Sequence, residues 1–115
     1  MSINRRKFER IPLILKLEVY DKKSTGRVCT GVTSNISAGG LGLQAHAELK
    51  KDEIYTLIFS LSADSKPIRV KGKVCWTYSS DIGPLHGIEF IKLGLFNRFK
   101  IKRFINKALF AEHGK

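Results

Sequence analysis

The sequence has no apolar run close to the roughly 20 residues that a membrane-spanning helix needs, and no apolar segment of a signal peptide follows its charged first residues. Only two of its 115 residues are cysteines, Cys29 and Cys75, and they show no paired spacing. Without a secretion signal, two reduced and buried thiols are favoured over a disulfide. These absences predict a cytoplasmic protein that does not insert into a membrane.

Catalytic and metal-binding patterns are equally scarce. The three histidines, His46, His86 and His113, lie at helical spacing neither from one another nor from a cysteine, as a metal site would require. There is no acid pair at an informative spacing, no Walker-type loop and no nucleophile elbow. His86 is interpreted as a surface or hydrogen-bonded histidine rather than a catalytic one. The sequence therefore predicts a binding protein with no metal, no cofactor and no enzymatic activity.

Basic residues outnumber acidic ones by 21 to 10, and most of the excess lies at the two ends of the chain. Residues 1–10 contain four basic residues and one acid, and residues 98–115 contain six basic residues and one acid. A protein that coats long duplex DNA more often spreads its basic groups over a whole face. This distribution predicts a basic arm and a basic tail attached to a nearly balanced core.

Short alternating segments fill the middle of the chain. Residues 13–20, just after Pro12, alternate apolar and polar side chains with the period of a β-strand. In residues 68–78 the same alternation places Trp76 on the apolar face, and Gly31 is a candidate bulge or bend in a third segment. Turn-forming residues separate the strand-like segments, which cover residues 13–20, 27–36, 41–45, 54–61, 68–78 and 85–91.

The pattern becomes helical from about Leu95. The residues at helical spacing form one apolar stripe of Ile101, Ile105, Ala108 and Leu109, with Phe104 at its edge. Four further apolar residues lie off the stripe, namely Leu95, Phe96, Phe99 and Phe110. Either the helix bends near residue 100, or a second apolar face covers something else, such as a partner subunit.

Six short strands followed by one helix predict the all-β class, as a small six-stranded antiparallel β-barrel with a C-terminal α-helix and a flexible basic N-terminal arm. The chain is expected to form a single domain over residues 1–115. Its parts are the arm (1–11), the barrel (13–92) and the helix (94–111).

Two polar stretches about 25 residues apart carry the functional signal. The first is the basic arm, in which Arg6 and Arg10 are four residues apart; their guanidinium groups can donate to phosphates or to guanine acceptors. In the second, Asn35–Gly40, Asn35 and Ser37 can hydrogen-bond locally or to a base edge. Gly39 and Gly40 permit positive φ and leave room for a ligand against the main chain. We interpret the two stretches as one site that folding brings together.

Together these stretches resemble the PilZ domain family of bacterial cyclic di-GMP receptors, whose signature is R-x-x-x-R followed by D/N-x-S-x-x-G. Here the two parts are Arg6–Arg10 and Asn35–Gly40, in the expected order. Further similarity lies in Leu41–Leu43, Gly72–Trp76 and Gly87–Phe90. The resemblance covers nearly the whole chain and implies a stand-alone domain with the family's six-stranded barrel and C-terminal helix.

The resemblance implies a non-enzymatic receptor that relays cyclic di-GMP to an unidentified downstream protein as its N-terminal arm reorders over the ligand. Motility, biofilm polysaccharide and virulence control are all compatible with this family. The implied contacts are Arg5, Arg6, Arg10, Asn35, Ser37, Gly39 and Gly40. An arginine at the position of Arg5 resembles members that bind cyclic di-GMP as a stacked pair.

Two candidates for secondary contacts have simpler interpretations. Trp76 is favoured as a core or barrel-rim residue over a stacking platform for guanine, and Lys73 as part of a solvated strand face. The main alternative function is a small basic β-barrel that binds RNA or single-stranded DNA. Such a protein would carry exposed aromatic residues among lysines and arginines on one sheet face. Here the aromatic residues cluster in residues 54–59, 76–78 and the helix, a pattern that disfavours nucleic acid as a partner. A third hypothesis is an interaction module that has lost its ligand, which the intact motif residues argue against.

Overall fold

Six antiparallel strands close into a barrel in this structure, a computed structural model that describes residues 11–12 and 14–113. The elements are β1 (Ile11–Pro12), β2 (Lys16–Tyr20), β3 (Arg27–Ile36), β4 (Gly40–Ala45), β5 (Ile54–Phe59), β6 (Ile68–Ser80), β7 (Gly83–Ile91) and α1 (Leu95–His113). The barrel order is β2-β5-β6-β7-β4-β3, and β3 closes it by pairing with β2. The predicted six-stranded antiparallel barrel with a C-terminal helix is confirmed. Of the predicted arm, residues 1–10 lie outside the described residues.

The strand predicted over residues 13–20 is shorter in the structure, where β2 begins at Lys16, and the separate two-residue strand β1 precedes it along β3. β1 pairs through Ile11 with Ile36 and through Pro12 with Asn35, whereas β2 pairs with the earlier half of β3. At the break, the Leu15 N–H donates to the Thr33 hydroxyl at 2.8 Å instead of to a backbone carbonyl. The side chain thus takes the place of a ladder bond, and the chain enters the barrel beside the end of β3.

The core fills the barrel interior and continues under the helix. Ile101 and Ile105 are buried in the same cluster as the barrel residues, and Phe104, Ala108 and Leu109 pack partly against it. Burying one such isoleucine is worth roughly 1.5–3 kcal/mol. The predicted stripe of α1 is therefore its buried face. The buried apolar strand residues include Leu17, Val19, Ile36, Leu41, Leu43, Leu57, Phe59, Ile68, Val70, Val74 and Ile88.

Two local predictions on the strands are wrong, each because a bulge lies elsewhere. Gly31 is paired regularly with Leu17 and Ala45, and the bulge in β3 comes instead between Thr33 and Asn35. Trp76 is half exposed rather than on the buried face. A second bulge between Val74 and Trp76 inserts one extra residue in β6, and an extra residue reverses which face the following side chains occupy.

Candidate ligand-binding site

The two bulges bring one row of residues to the outer surface of the barrel. The register runs across neighbouring strands from Pro12 to Asn35, Gly42, Gly87 and Trp76. Gly42 and Gly87 lie on the outer side of the barrel, because the neighbours of each glycine along its strand point into the core, and both glycines are themselves covered by neighbouring side chains. The path from Asn35 to Trp76 crosses three strand spacings, about 14 Å. We call the outer surface over Asn35, Gly42, Gly87 and Trp76 the glycine floor.

Trp76 closes one end of the glycine floor. A Cβ placed on Gly87 would overlap the indole, coming within 2.7 Å of its Cδ1 and closer still to Nε1 and Cε2. The ring therefore lies directly across Gly87. Since Trp76 is 50% exposed, the rest of its indole remains open to solvent. An aromatic ring packed on one side and open on the other can stack with a planar ligand.

Asn35 closes the other end. A Cβ on Gly42 would lie 2.5 Å from the Ser34 hydroxyl and 3.1 Å from the Asn35 amide nitrogen, so the Asn35 side chain leans over Gly42. The Asn35 amide also donates to the Ser34 hydroxyl at 3.4 Å. Regular alternation would put Asn35 on the same face as the buried Thr33, and the bulge between these two residues turns Asn35 outward instead.

The turn that follows, Ser37–Gly40, is held by its own hydrogen bonds. The Ser37 N–H donates to the Gly40 carbonyl at 2.8 Å, and the Gly39 N–H donates to the Ser37 hydroxyl at 3.1 Å. The Gly39 carbonyl accepts from the Phe90 N–H at 2.9 Å, which fixes the turn to β7. Ser37 is buried and its hydroxyl is used inside the turn. The sequence suggested that Ser37 could hydrogen-bond either locally or to a base edge, and the structure shows the local hydrogen bonds.

Gly40 is a glycine because of a close approach rather than an unusual backbone angle. A Cβ there would collide with the carbonyl oxygen of Ile88 on β7. In the described part of the chain, Gly83 is the glycine with positive φ, at 115°. The expectation that the second motif exploits positive φ is not met, and the absence of a side chain instead lets β4 lie against β7.

The next outward row contains Lys73 and Glu89. The two residues are paired across β6 and β7, and Glu89 also pairs with Gly40. Cys75, the extra residue of the β6 bulge, is exposed, with its sulfur 3.7 Å from a Glu89 carboxylate oxygen. Burial and the negative charge of Glu89 raise the pKa of the Cys75 thiol. The prediction of free thiols is confirmed, but Cys75 is not buried and Cys29 is only partly so.

His86 lies behind the glycine floor, inside the barrel. Its Nε2 accepts from the Leu49 N–H at 3.3 Å, so its Nδ1 carries the proton that is shared with the Thr77 hydroxyl at 3.0 Å. Burial lowers the pKa of His86, against a smaller opposing effect of Glu48. His86 is thus a buried, hydrogen-bonded histidine that links β7, β6 and the loop before β5, in line with its non-catalytic interpretation.

The structure joins part of the predicted site. Asn35, Ser37, Gly39 and Gly40 lie at one end of β3 and β4, while Trp76 lies across the glycine floor from Asn35 and Lys73 lies one row away. The arm residues Arg5, Arg6 and Arg10 lie outside the described residues. The sequence interpretation assigned no role to Gly42 or Gly87, although a glycine at an outward position between buried strand residues is a signal that could have found them.

Within residues 11–12 and 14–113, no group of three or more histidines, cysteines and acids could hold a metal ion. Over the same residues, no helix combines the length and apolar character that crossing a bilayer requires.

Comparisons with known proteins concern mainly the fold. The family model of the PilZ domain matches residues 4–107, and no curated protein matches the chain. YcgR from Escherichia coli in complex with c-di-GMP has a TM-score of 0.79 and 13% identity over 97% of this chain and 49% of its own.

Two other solved structures have the same fold. The inhibitor of motility MotI/DgrA from Bacillus subtilis has a TM-score of 0.77 and 18% identity, covering 93% of this chain and 53% of its own. The MrkH–c-di-GMP complex from K. pneumonia has a TM-score of 0.67 and 19% identity, covering 98% of this chain and 57% of its own. This chain spans about half the length of these three chains.

Proposed function

The chain belongs to the PilZ domain family, and from this premise we propose that it is a receptor for cyclic di-GMP in the bacterial cytoplasm. The observation that carries the proposal is the glycine floor, where Gly42 and Gly87 add no side chains of their own and the Asn35 amide and the half-exposed Trp76 indole lie over them from opposite ends. Two of the similar structures, YcgR and MrkH, are complexes with c-di-GMP.

A guanine base fits the chemistry of the glycine floor. Its planar ring can stack on the open side of the Trp76 indole, which itself lies across Gly87, beside the Asn35 side chain that leans over Gly42. Base–aromatic stacking contributes roughly 1–3 kcal/mol per base. The Asn35 amide offers a donor and an acceptor that can meet the edge of the base. Lys73, one row away, can approach a phosphate.

The N-terminal arm supplies the remaining contacts in this proposal. It joins the described chain at Ile11, whose partner Ile36 immediately precedes Ser37. Since β1 is antiparallel to β3, the arm would lie near the Ser37–Gly40 turn in this proposal. Arg6 and Arg10 would donate charge-assisted bonds to the phosphates and to the guanine O6 and N7 acceptors. Each such bond contributes about 1.5–3 kcal/mol.

The turn acts as a preformed support. Because its hydrogen bonds are already made, it loses little conformational freedom when a ligand arrives. Ser37 and Gly40 then contribute mainly by holding the backbone near Gly39 in place, and Asn35 contributes the side chain. The ordering of the arm over this support changes the surface presented to a downstream protein, which is the relay that we propose.

Calorimetric titration with cyclic di-GMP tests the receptor function. We expect saturable binding, no binding of GTP, and a loss of at least about tenfold in affinity for Arg6→Ala and for Arg10→Ala. Lys7→Ala is the matched control, because it removes one positive charge from the same arm outside the motif. Equal losses in all three variants would mean that only the charge of the arm matters, and a flat titration by folded protein would reject the receptor function.

The same titration tests the role of Arg5. A fitted ratio near two nucleotides per chain would support a stacked pair of cyclic di-GMP, with Arg5 contacting the second molecule. In that case Arg5→Ala should reduce the ratio toward one while retaining the first binding event. A ratio near one for the unmodified chain would reject the stacked pair.

Single-stranded nucleic acid remains a second candidate ligand, because of the exposed face of β6. Trp76 and Tyr78 are 50% and 62% exposed, and Arg69 and Lys71 are exposed on the same strand. This is the combination of aromatic and basic side chains that the alternative function requires. Tight, strongly salt-dependent binding of a short RNA, together with no response to cyclic di-GMP, would favour it.

A further inference from the structure

The outer face of α1 is apolar at its beginning and has no cover in the structure. Leu95, Phe96 and Phe99 are 84%, 75% and 61% exposed, whereas the opposite face of the helix is buried on the barrel. α1 is one continuous helix over Leu95–His113. The exposure of Leu95, Phe96 and Phe99 favours a second apolar face over a bend that would bring them onto the core; the side chain of Phe110, the fourth off-stripe residue, lies outside the described part of the structure.

Positive charge surrounds these apolar side chains. Between Glu89 and Glu112 the sequence contains no acidic residue. The Lys100 ammonium lies 5.8 Å from the centre of the Phe96 ring, within the range of a cation–π contact. Phe99 lines a surface groove of about 580 Å³ together with Lys102, Arg103, Asn106 and Lys107. The basic residues of this segment are Lys92, Arg98, Lys100, Lys102, Arg103 and Lys107.

We propose that the outer face of α1 docks on the surface of an anionic lipid bilayer. Leu95 and Phe96 would enter the headgroup region, and the basic groove beside Phe99 would bind lipid phosphates. A basic helix that carries Phe and Leu is the combination found in helices at membrane interfaces, and each basic residue near such a surface contributes about 1 kcal/mol. The chain stays on one side of the bilayer and does not cross it.

Two observations favour lipid over the other occupants. A second copy of this chain would bring another helix with the same excess of cations against the first, and like charges disfavour that contact. Leu95 and Phe96 also project from the surface, as their exposed fractions of 84% and 75% indicate. A protein partner would need a cavity that matches these side chains. A nucleic acid would stack its bases on aromatic rings, and Leu95, the most exposed of these residues, offers none. A bilayer interface accepts projecting apolar groups of any shape.

Vesicle co-sedimentation tests the proposal, with phosphatidylcholine vesicles that contain 30 mol% phosphatidylglycerol or none. We expect binding to the anionic vesicles only. Phe96→Ser/Phe99→Ser should reduce the partition coefficient at least about tenfold, since each buried methylene contributes about 0.8 kcal/mol. Lys102→Glu/Arg103→Glu should reduce it about 25-fold or more, because each basic residue contributes about 1 kcal/mol.

The chain offers matched controls for both pairs. Lys22→Glu/Lys23→Glu makes the same change in net charge in the exposed turn between β2 and β3, and Ile82→Ser removes a 67% exposed apolar side chain between β6 and β7. Both controls should bind within about threefold of the unmodified chain. Circular dichroism melts verify that every variant is folded.

Four outcomes would overturn the proposal. They are no binding to anionic vesicles, equal loss in the control and helix variants, a helix-dependent dimer in light scattering without lipid binding, and helix-dependent binding of RNA in fluorescence anisotropy without lipid binding. The third would assign the face to a second copy, and the fourth to nucleic acid. None depends on cyclic di-GMP, so failure here leaves the receptor function untouched.

Discussion

Replacing Gly87 with alanine should displace the Trp76 indole from the glycine floor. The new Cβ would overlap the ring, and the ring can yield because it is a half-exposed side chain rather than backbone. A tryptophan that is 50% exposed buries about 100 Å² of side chain, which corresponds to about 2.5 kcal/mol of contact free energy. Losing the share of this contact that Trp76 makes with Gly87 and its surroundings should lower the free energy of unfolding by about 1–2 kcal/mol.

A double-mutant cycle isolates this overlap. In a Trp76→Ala background the ring is gone, so Gly87→Ala should be neutral, or stabilising by about 0.5–1 kcal/mol, because alanine restricts the unfolded chain more than glycine does. Urea denaturation of the four proteins gives a coupling free energy, which we expect to be about 1–2 kcal/mol. An equal cost of Gly87→Ala in both backgrounds would refute the packing of Trp76 on Gly87. Affinity for cyclic di-GMP, measured on the same proteins, should fall in every variant in which the indole is displaced or absent.

Two further predictions concern the residues that support the floor. Ser37→Ala should lower the free energy of unfolding by about 1 kcal/mol in urea, because the Gly39 N–H loses its acceptor; no change would mean that the hydroxyl does not hold the turn. The free energy of unfolding should also fall as pH drops below 6.5, the ordinary pKa of histidine. Burial lowers the pKa of His86 in the folded protein, so the unfolded chain binds the proton at a higher pH than the folded chain does. Thermal melts between pH 7.5 and 5 should show a shallower fall in His86→Gln, and an identical fall would contradict the assignment.

The barrel and its helix could be predicted because their signals are local. Alternating apolar residues identify strands, and the spacing of Ile101 and Ile105 identifies the buried face of α1 without knowledge of the rest of the chain. Both isoleucines are buried in the structure. The off-stripe residues Leu95 and Phe96 were also recognisable from spacing, although their exposure required the fold.

Gly42 and Gly87 could be singled out by their position between apolar strand residues, but their alignment with Asn35 and Trp76 could not be predicted, because it depends on two bulges. A bulge adds one residue to a ladder and leaves little trace in composition. The regular alternation of β6 therefore placed Trp76 inside the barrel, whereas the extra residue Cys75 turns it outward over Gly87. In the same way, the motif alone does not show that Ser37 is buried and hydrogen-bonded within its own turn, because that depends on tertiary packing.

The most direct test of the account is a two-dimensional amide NMR titration with cyclic di-GMP. Trp76 is the single tryptophan of the chain, so its indole N–H resonance is unambiguous. The account predicts that this resonance and the backbone amides of Asn35, Gly42 and Gly87 shift together and saturate at one ligand concentration. Saturable binding that leaves these four resonances unchanged would contradict it.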